Sequence, residues 1–156
     1  MLVRIVRQLS LEDVQSRIGK FENEYGMKFD RFEELFLQEK TDDDLIVAYY
    51  EWAGLVDAYR GYFESGELDY VVEELHDMDP KEVSLLSPKR LELLYSLRNL
   101  RTQSINDLAK KTRRNVKNVY IDLRSLASLG LIGFKKQGRR NIVPETLVEE
   151  ITFLVQ

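Results

Sequence analysis

The chain has 156 residues, 32% of them charged, with only 3 Pro, 8 Gly and no cysteine, which describes a folded, helix-rich protein rather than a disordered one. That length allows one ordinary core or two small ones, and the lack of cysteine excludes a disulfide framework, a thiolate zinc site and a cysteine nucleophile. The net charge of −4 conceals a division: residues 1–87 carry 21 acidic and 9 basic side chains, a net of −12, whereas residues 88–156 carry 14 basic and 6 acidic, a net of +8.

Residues 2–7 alternate apolar side chains with arginines, which suits a short strand or a frayed terminus and lacks the continuous apolar core of a signal peptide. No later run approaches membrane-spanning length. A soluble, cytoplasmic protein in a reducing compartment, with no membrane partner, is expected. Ser10 and Asp13 form a capping-box pattern opening a helix whose Leu11, Val14, Ile18 and Phe21 share one face, and Gly26 is its expected stop. A short helix over residues 30–38 presents Phe32, Leu35 and Phe36. A third starts at Thr41, has Asp42, Asp43 and Asp44 in its first turn, and ends near Gly66.

That third helix is apolar nearly all round, with Leu45, Ala48, Trp52, Leu55, Tyr59 and Tyr62 in one stripe and Ile46, Val47, Tyr50 and Val56 outside it. Twelve of the 16 aromatic residues lie between Phe21 and Tyr70. This surplus fits a buried helix in a small bundle or an oligomer or partner interface, two compatible readings, with Trp52, Tyr59 and Tyr62 as the interface candidates. Residues 67–76 read as a weak helix or as a strand around Tyr70-Val71-Val72. The division expected is therefore an acidic, aromatic-rich helical oligomerisation or partner-binding domain (1–76), a connector (77–87) and a basic domain (88–156).

In the basic part, Ser87-Pro88 is a helix start: Ser caps free N–H groups, and Pro gives up an N–H that has no helical partner. The helix behind it is expected to bury Leu91, Leu94, Tyr95 and Leu97. Ser104 with Asp107 opens a short helix over residues 105–112, with Leu108 and the small Ala109 facing inward. A turn at Arg113-Arg114-Asn115 leads to a helix in which Val119, Tyr120, Leu123, Leu126 and Ala127 face the core while Lys117, Asn118, Ile121, Arg124 and Ser125 face outward. Beyond Gly130, residues 131–136 and 140–143 read as two strands joined across Gln137-Gly138-Arg139. Helix, helix-turn-helix and basic hairpin, in that order, make a winged helix-turn-helix domain. The fold class expected is mainly α with a small β wing, preceded by a small helical domain. Residues 145–154 fit either a helix (Leu147, Ile151, Leu154) or a strand (Ile151, Phe153, Val155).

The segment Leu108–Ile132, followed by the hairpin and Pro144, resembles the winged helix transcriptional regulators broadly similar to the MarR group. It is especially similar to a prokaryotic set with an Arg-x-Val-Lys-Asn-Val-x-x-Asp-Leu recognition helix, here Arg114 to Leu123. Members of that set are often read as antitoxins of toxin–antitoxin pairs. One departure is that Arg113 and Arg114 stand at turn positions where many such motifs have Gly and an apolar residue. The resemblance implies a recognition helix in the major groove and a wing on the backbone or the adjacent minor groove. It makes Arg113, Arg114, Asn115, Lys117, Asn118, Ile121 and Arg124 DNA candidates, with Lys135, Lys136, Arg139 and Arg140 as wing contacts. The function expected is a sequence-specific, double-stranded DNA-binding repressor acting as a homodimer. The alternative is an antitoxin that neutralises a basic partner protein, a toxin, through its N-terminal half and autoregulates its operon.

Other patterns point away from catalysis. His76, the one histidine, is read as lying on the solvated face of a helix end, and Asp42-Asp43-Asp44 as complementing a helix dipole. There is no phosphate-cradling Gly loop, no paired histidines and no Ser/His/Asp ordering. No enzyme activity, cofactor or metal is expected.

Overall fold

The computed structural model of the chain describes residues 1–38 and 42–155. In chain order the elements are β1 (Leu2–Gln8), α1 (Leu11–Tyr25), α2 (Phe29–Gln38), α3 (Asp43–Ser65), β2 (Val71–Asp77), α4 (Pro80–Ser84), α5 (Pro88–Asn99), α6 (Ile105–Thr112), α7 (Val116–Ser128), β3 (Ile132–Gln137), β4 (Asn141–Thr146) and β5 (Val148–Leu154). Helices make up 57% of the described residues beside a smaller amount of antiparallel sheet, so the structure is mixed, with helix the larger part. The strands form a three-stranded sheet in the order β2-β1-β5 and the two-stranded hairpin β3-β4.

The chain divides into two compact units, Gln8–Val72 and a discontinuous one made of Met1–Arg7 with Glu73–Gln156. This differs from the division into 1–76, 77–87 and 88–156, and the cause is strand pairing. β1 runs antiparallel to β5, with Val3 opposite Phe153 and Ile5 opposite Ile151. The alternation read in residues 2–7 is therefore a buried-face signal: Val3 and Ile5 are buried while Arg4 and Arg7 turn to carboxylates, Arg4 to Glu150 and Glu73, Arg7 to Glu74. The pairing also settles residues 148–154 as strand. His76 lies on β2 rather than at a helix end, with Nε2 3.1 Å from Glu74 Oε2. The expected connector holds α4, whose Asp79 and Glu82 cap one another reciprocally. Regrouped in this way, Gln8–Val72 carries 16 acidic and 6 basic residues, a net of −10, and the discontinuous unit 17 basic and 11 acidic, a net of +6.

Within Gln8–Val72, α1 begins as its sequence dictates. Ser10 Oγ accepts from the Asp13 N–H at 3.1 Å and Asp13 Oδ2 accepts from the Ser10 N–H at 3.2 Å. The start expected at Thr41 lies outside the described residues, and the cap of α3 is Asp42, which accepts from the Leu45 N–H at 2.9 Å. Trp52 does not stand at an interface: it is 0% exposed. It stacks on Phe21 at 5.3 Å and meets Phe32 at 4.9 Å and Phe29 at 5.5 Å, so one small core absorbs what the sequence offered as surplus. Tyr59 and Tyr62 are half-buried. Among the described residues of this unit, the large apolar groups that remain outside are Leu37, Val47, Tyr50, Phe63 and Val71.

The core of the other unit joins Leu93, Leu94 and Leu97 of α5, Leu108 and Ala109 of α6, Val119, Leu123 and Leu126 of α7, and Val3, Ile5 and Val148 of the sheet. Leu91 and Tyr95, expected inside, are 37% and 72% exposed. Apolar spacing along α5 allows two rotations, and Arg90 selects one of them. Its Nε donates to Asp122 of α7 at 3.0 Å, which turns Leu93, Leu94 and Leu97 inward and Leu91 and Tyr95 out. Tyr120 likewise lies outside, because Val119, Leu123 and Leu126 already fill the buried face of α7.

Candidate nucleic-acid interface

The junction between α6 and α7 is built from local rules. Ser104 caps α6, accepting from the Asp107 N–H at 3.0 Å, and Asp107 accepts in turn from the Gln103 N–H at 2.9 Å. That backbone hydrogen bond, ahead of the contact with Lys111, holds the Asp107 carboxyl below its usual range. The helix ends in a Schellman arrangement, with the Arg114 N–H on the Ala109 carbonyl at 2.9 Å and the Arg113 N–H on Lys110 at 3.2 Å. This forces Arg113 into the left-handed region at φ 55°, where glycine is usual. The departure noted in the sequence is thus a strained cap, and it leaves the Arg113 side chain exposed. Asn115 opens α7 as its N-cap, Oδ1 accepting from the Lys117 N–H at 2.8 Å.

Arg114 has a different role from the one expected of it. Its Nη2 donates to Asp122 Oδ2 at 2.6 Å, while Arg90 holds Oδ1 at 3.0 Å and reaches the Leu85 carbonyl at 3.3 Å. Asp122 is 14% exposed, and the two arginines 20% and 23%. Burial pushes its carboxyl up, but the hydrogen bonds from Arg114 and Arg90, with their charges, outweigh that and leave it below its usual range. The clamp ties α5, the turn and α7 together. It also neutralises the only carboxylate on α7 and takes Arg114 out of the exposed set.

What remains outside is strongly one-sided. Lys117, Asn118, Ile121 and Arg124 are exposed on α7, and Lys135 and Lys136 on β3. The register Gln137 opposite Asn141 leaves Gly138-Arg139-Arg140 as the hairpin tip, one residue later than the sequence suggested, so both arginines sit on the loop. Gly138 supplies the positive φ of 69° that the turn requires. None of Lys117, Arg124, Lys135, Lys136, Arg139 and Arg140 forms an ion pair among the described residues, and the same holds for Lys81, Lys89, Arg101, Lys110 and Arg113, whereas Arg90, Arg98, Lys111 and Arg114 are paired. An open cleft of about 740 Å³ separates the starts of α6 and α7 from β4, with Asn106, Val116, Tyr120, Arg140 and Ile142 among its walls. Sequence reasoning placed Tyr120 in the core and passed over Val116 and Ile142. The signal for Tyr120 was present in Val119, Leu123 and Leu126, which complete the inward face without it.

Among the described residues no group of three or more His, Cys, Asp or Glu could hold a metal ion, and no helix is long and apolar enough to cross a membrane. A family model described only as HVO_A0114 matches residues 85–152, under half of the chain, and the match spans α5 to β5. No curated protein matches the chain.

Proposed function

We propose that the protein is a sequence-specific, double-stranded DNA-binding transcriptional regulator, a repressor, in which α5, α6, α7 and the β3-β4 hairpin act as a winged helix-turn-helix. The observation that carries this reading is the set of six exposed, unpaired cations on α7 and the hairpin. Leaving them unpaired beside a fully neutralised Asp122 concentrates positive potential where phosphates can take it. α7 places its N-terminal half in the major groove, and Arg139 and Arg140 meet the backbone or the adjacent minor groove. Selection from a random duplex library tests this directly. The full chain should enrich one motif and bind it at least about 10³-fold more tightly than scrambled duplex. Uniform binding to every duplex would refute sequence recognition.

In this reading Gln8–Val72 supplies the contact to a second copy. The antitoxin alternative assigns the same unit to a basic toxin, and its net charge of −10 together with exposed Val47, Tyr50 and Phe63 favours such a partner. Co-purification from the native host separates the two. A basic protein released by high salt supports the antitoxin, whereas recovery of the chain alone as a dimer supports the simple repressor.

A further inference from the structure

Four large apolar side chains share the cationic surface: Val116, Tyr120, Ile121 and Ile142 are 43%, 45%, 47% and 50% exposed. Single exposed apolar residues are ordinary, but these are gathered. Val116 and Tyr120 stand one turn apart on α7 beside its buried face and line the cleft together with Ile142, while Ile121, next to Tyr120, lies on the outward side opposite Val119, Leu123 and Leu126. They are not displaced core residues, because the buried face of α7 is complete without them. Their neighbours are Lys117, Arg124 and Arg140, so charge directs the surface to a polyanion, while a surface that met phosphates alone would gain nothing from four apolar groups.

The apolar feature that a DNA base pair offers in the major groove is the C5-methyl of thymine. We infer that Val116, Tyr120 and Ile121 form a thymine-methyl reading surface, with Ile142 closing it from the hairpin, so that the bound sequence is selected for thymine at defined positions. Lys117, Arg124 and Arg140 anchor the phosphates around it. The inference rests on the DNA-binding reading above and adds the base chemistry which that reading leaves open.

The test starts from the motif enriched by selection and replaces each thymine in turn with deoxyuridine, which deletes only the methyl group. Wild-type protein should lose about fourfold in affinity at each contacted position, the worth of one buried methyl-sized group. Ile121→Ala and Val116→Ala, both at exposed positions and checked for an unchanged thermal midpoint, should bind thymine and deoxyuridine duplexes alike at the position each side chain contacts. If a motif is enriched but no deoxyuridine substitution weakens wild-type binding, the methyl reading is overturned and DNA recognition stands. An equal loss in wild type and both variants would place the effect in DNA shape and also overturn it. If no motif is enriched, the DNA-binding reading itself fails and this inference with it.

Discussion

Removing Arg114 separates a structural clamp from a phosphate contact. Its guanidinium and that of Arg90 share the two oxygens of Asp122, all three side chains being less than a quarter exposed. A hydrogen bond between charged groups contributes about 1.5–3 kcal/mol, so Arg114→Ala should destabilise the Met1–Arg7/Glu73–Gln156 unit by that amount in urea denaturation. Asp122→Ala strands two largely buried guanidiniums and should cost more, about 3–5 kcal/mol. A double-mutant cycle between the two positions should show clear coupling. The clamp also has a pH signature. The Asp122 carboxyl is lowered from its ordinary value of 3.8, so its contribution is present above that value and is lost as pH falls through the lower, folded-state value. The stability gap between wild type and Asp122→Asn should therefore close in acid, below about pH 4. The salt dependence of DNA binding should be unchanged in Arg114→Ala, whereas Arg140→Ala should lower the slope by about 1. An Arg114→Ala protein of wild-type stability whose salt slope drops like that of Arg140→Ala would refute the clamp.

Three further outcomes follow from the packing. Arg113→Gly relieves a left-handed residue that carries a side chain and should stabilise the protein by about 0.5–1 kcal/mol in urea melts, net of the entropy glycine adds to the unfolded chain; a loss of stability would show that the Arg113 side chain makes compensating contacts. Trp52→Ala should cost the acidic unit about 3–5 kcal/mol, whereas Trp52→Phe should cost far less, because the indole N–H is buried with no hydrogen-bond partner among the described residues. Ile5→Ala should cost about 2–5 kcal/mol and lower the melting point of the Met1–Arg7/Glu73–Gln156 unit, which a boundary at residue 77 or 88 would leave untouched.

Local signals in the sequence were legible and long-range ones were not. Ser10, Ser87 and Ser104 cap helices because each cap is decided within three residues. The basic hairpin followed from Gly138 and the flanking apolar alternation. The three-stranded sheet did not, because β1 meets β5 across nearly the whole chain and no local pattern specifies that partner. Helix rotation was ambiguous wherever apolar residues fit two faces. On α5 the rotation that turns Tyr95 outward goes with the Arg90–Asp122 contact, 32 residues apart in sequence, and on α7 Val119, Leu123 and Leu126 fill the buried face and leave Tyr120 outside. Pairing with the same Asp122 explains why Arg114 looked like a free basic turn residue. Of the two readings open for α3, burial in a small bundle holds for Trp52, because the aromatics of α1 and α2 close over it.

The most direct test is the salt dependence of binding to the selected duplex by wild type and by a variant with Lys135, Lys136, Arg139 and Arg140 all changed to alanine. If the hairpin cations meet phosphates, the slope of log K against log salt should fall in magnitude by up to about 3.6, roughly 0.9 for each phosphate no longer neutralised, with the fold intact. A variant that binds the duplex with the wild-type slope would contradict the assignment of the β3-β4 hairpin to the DNA-binding surface.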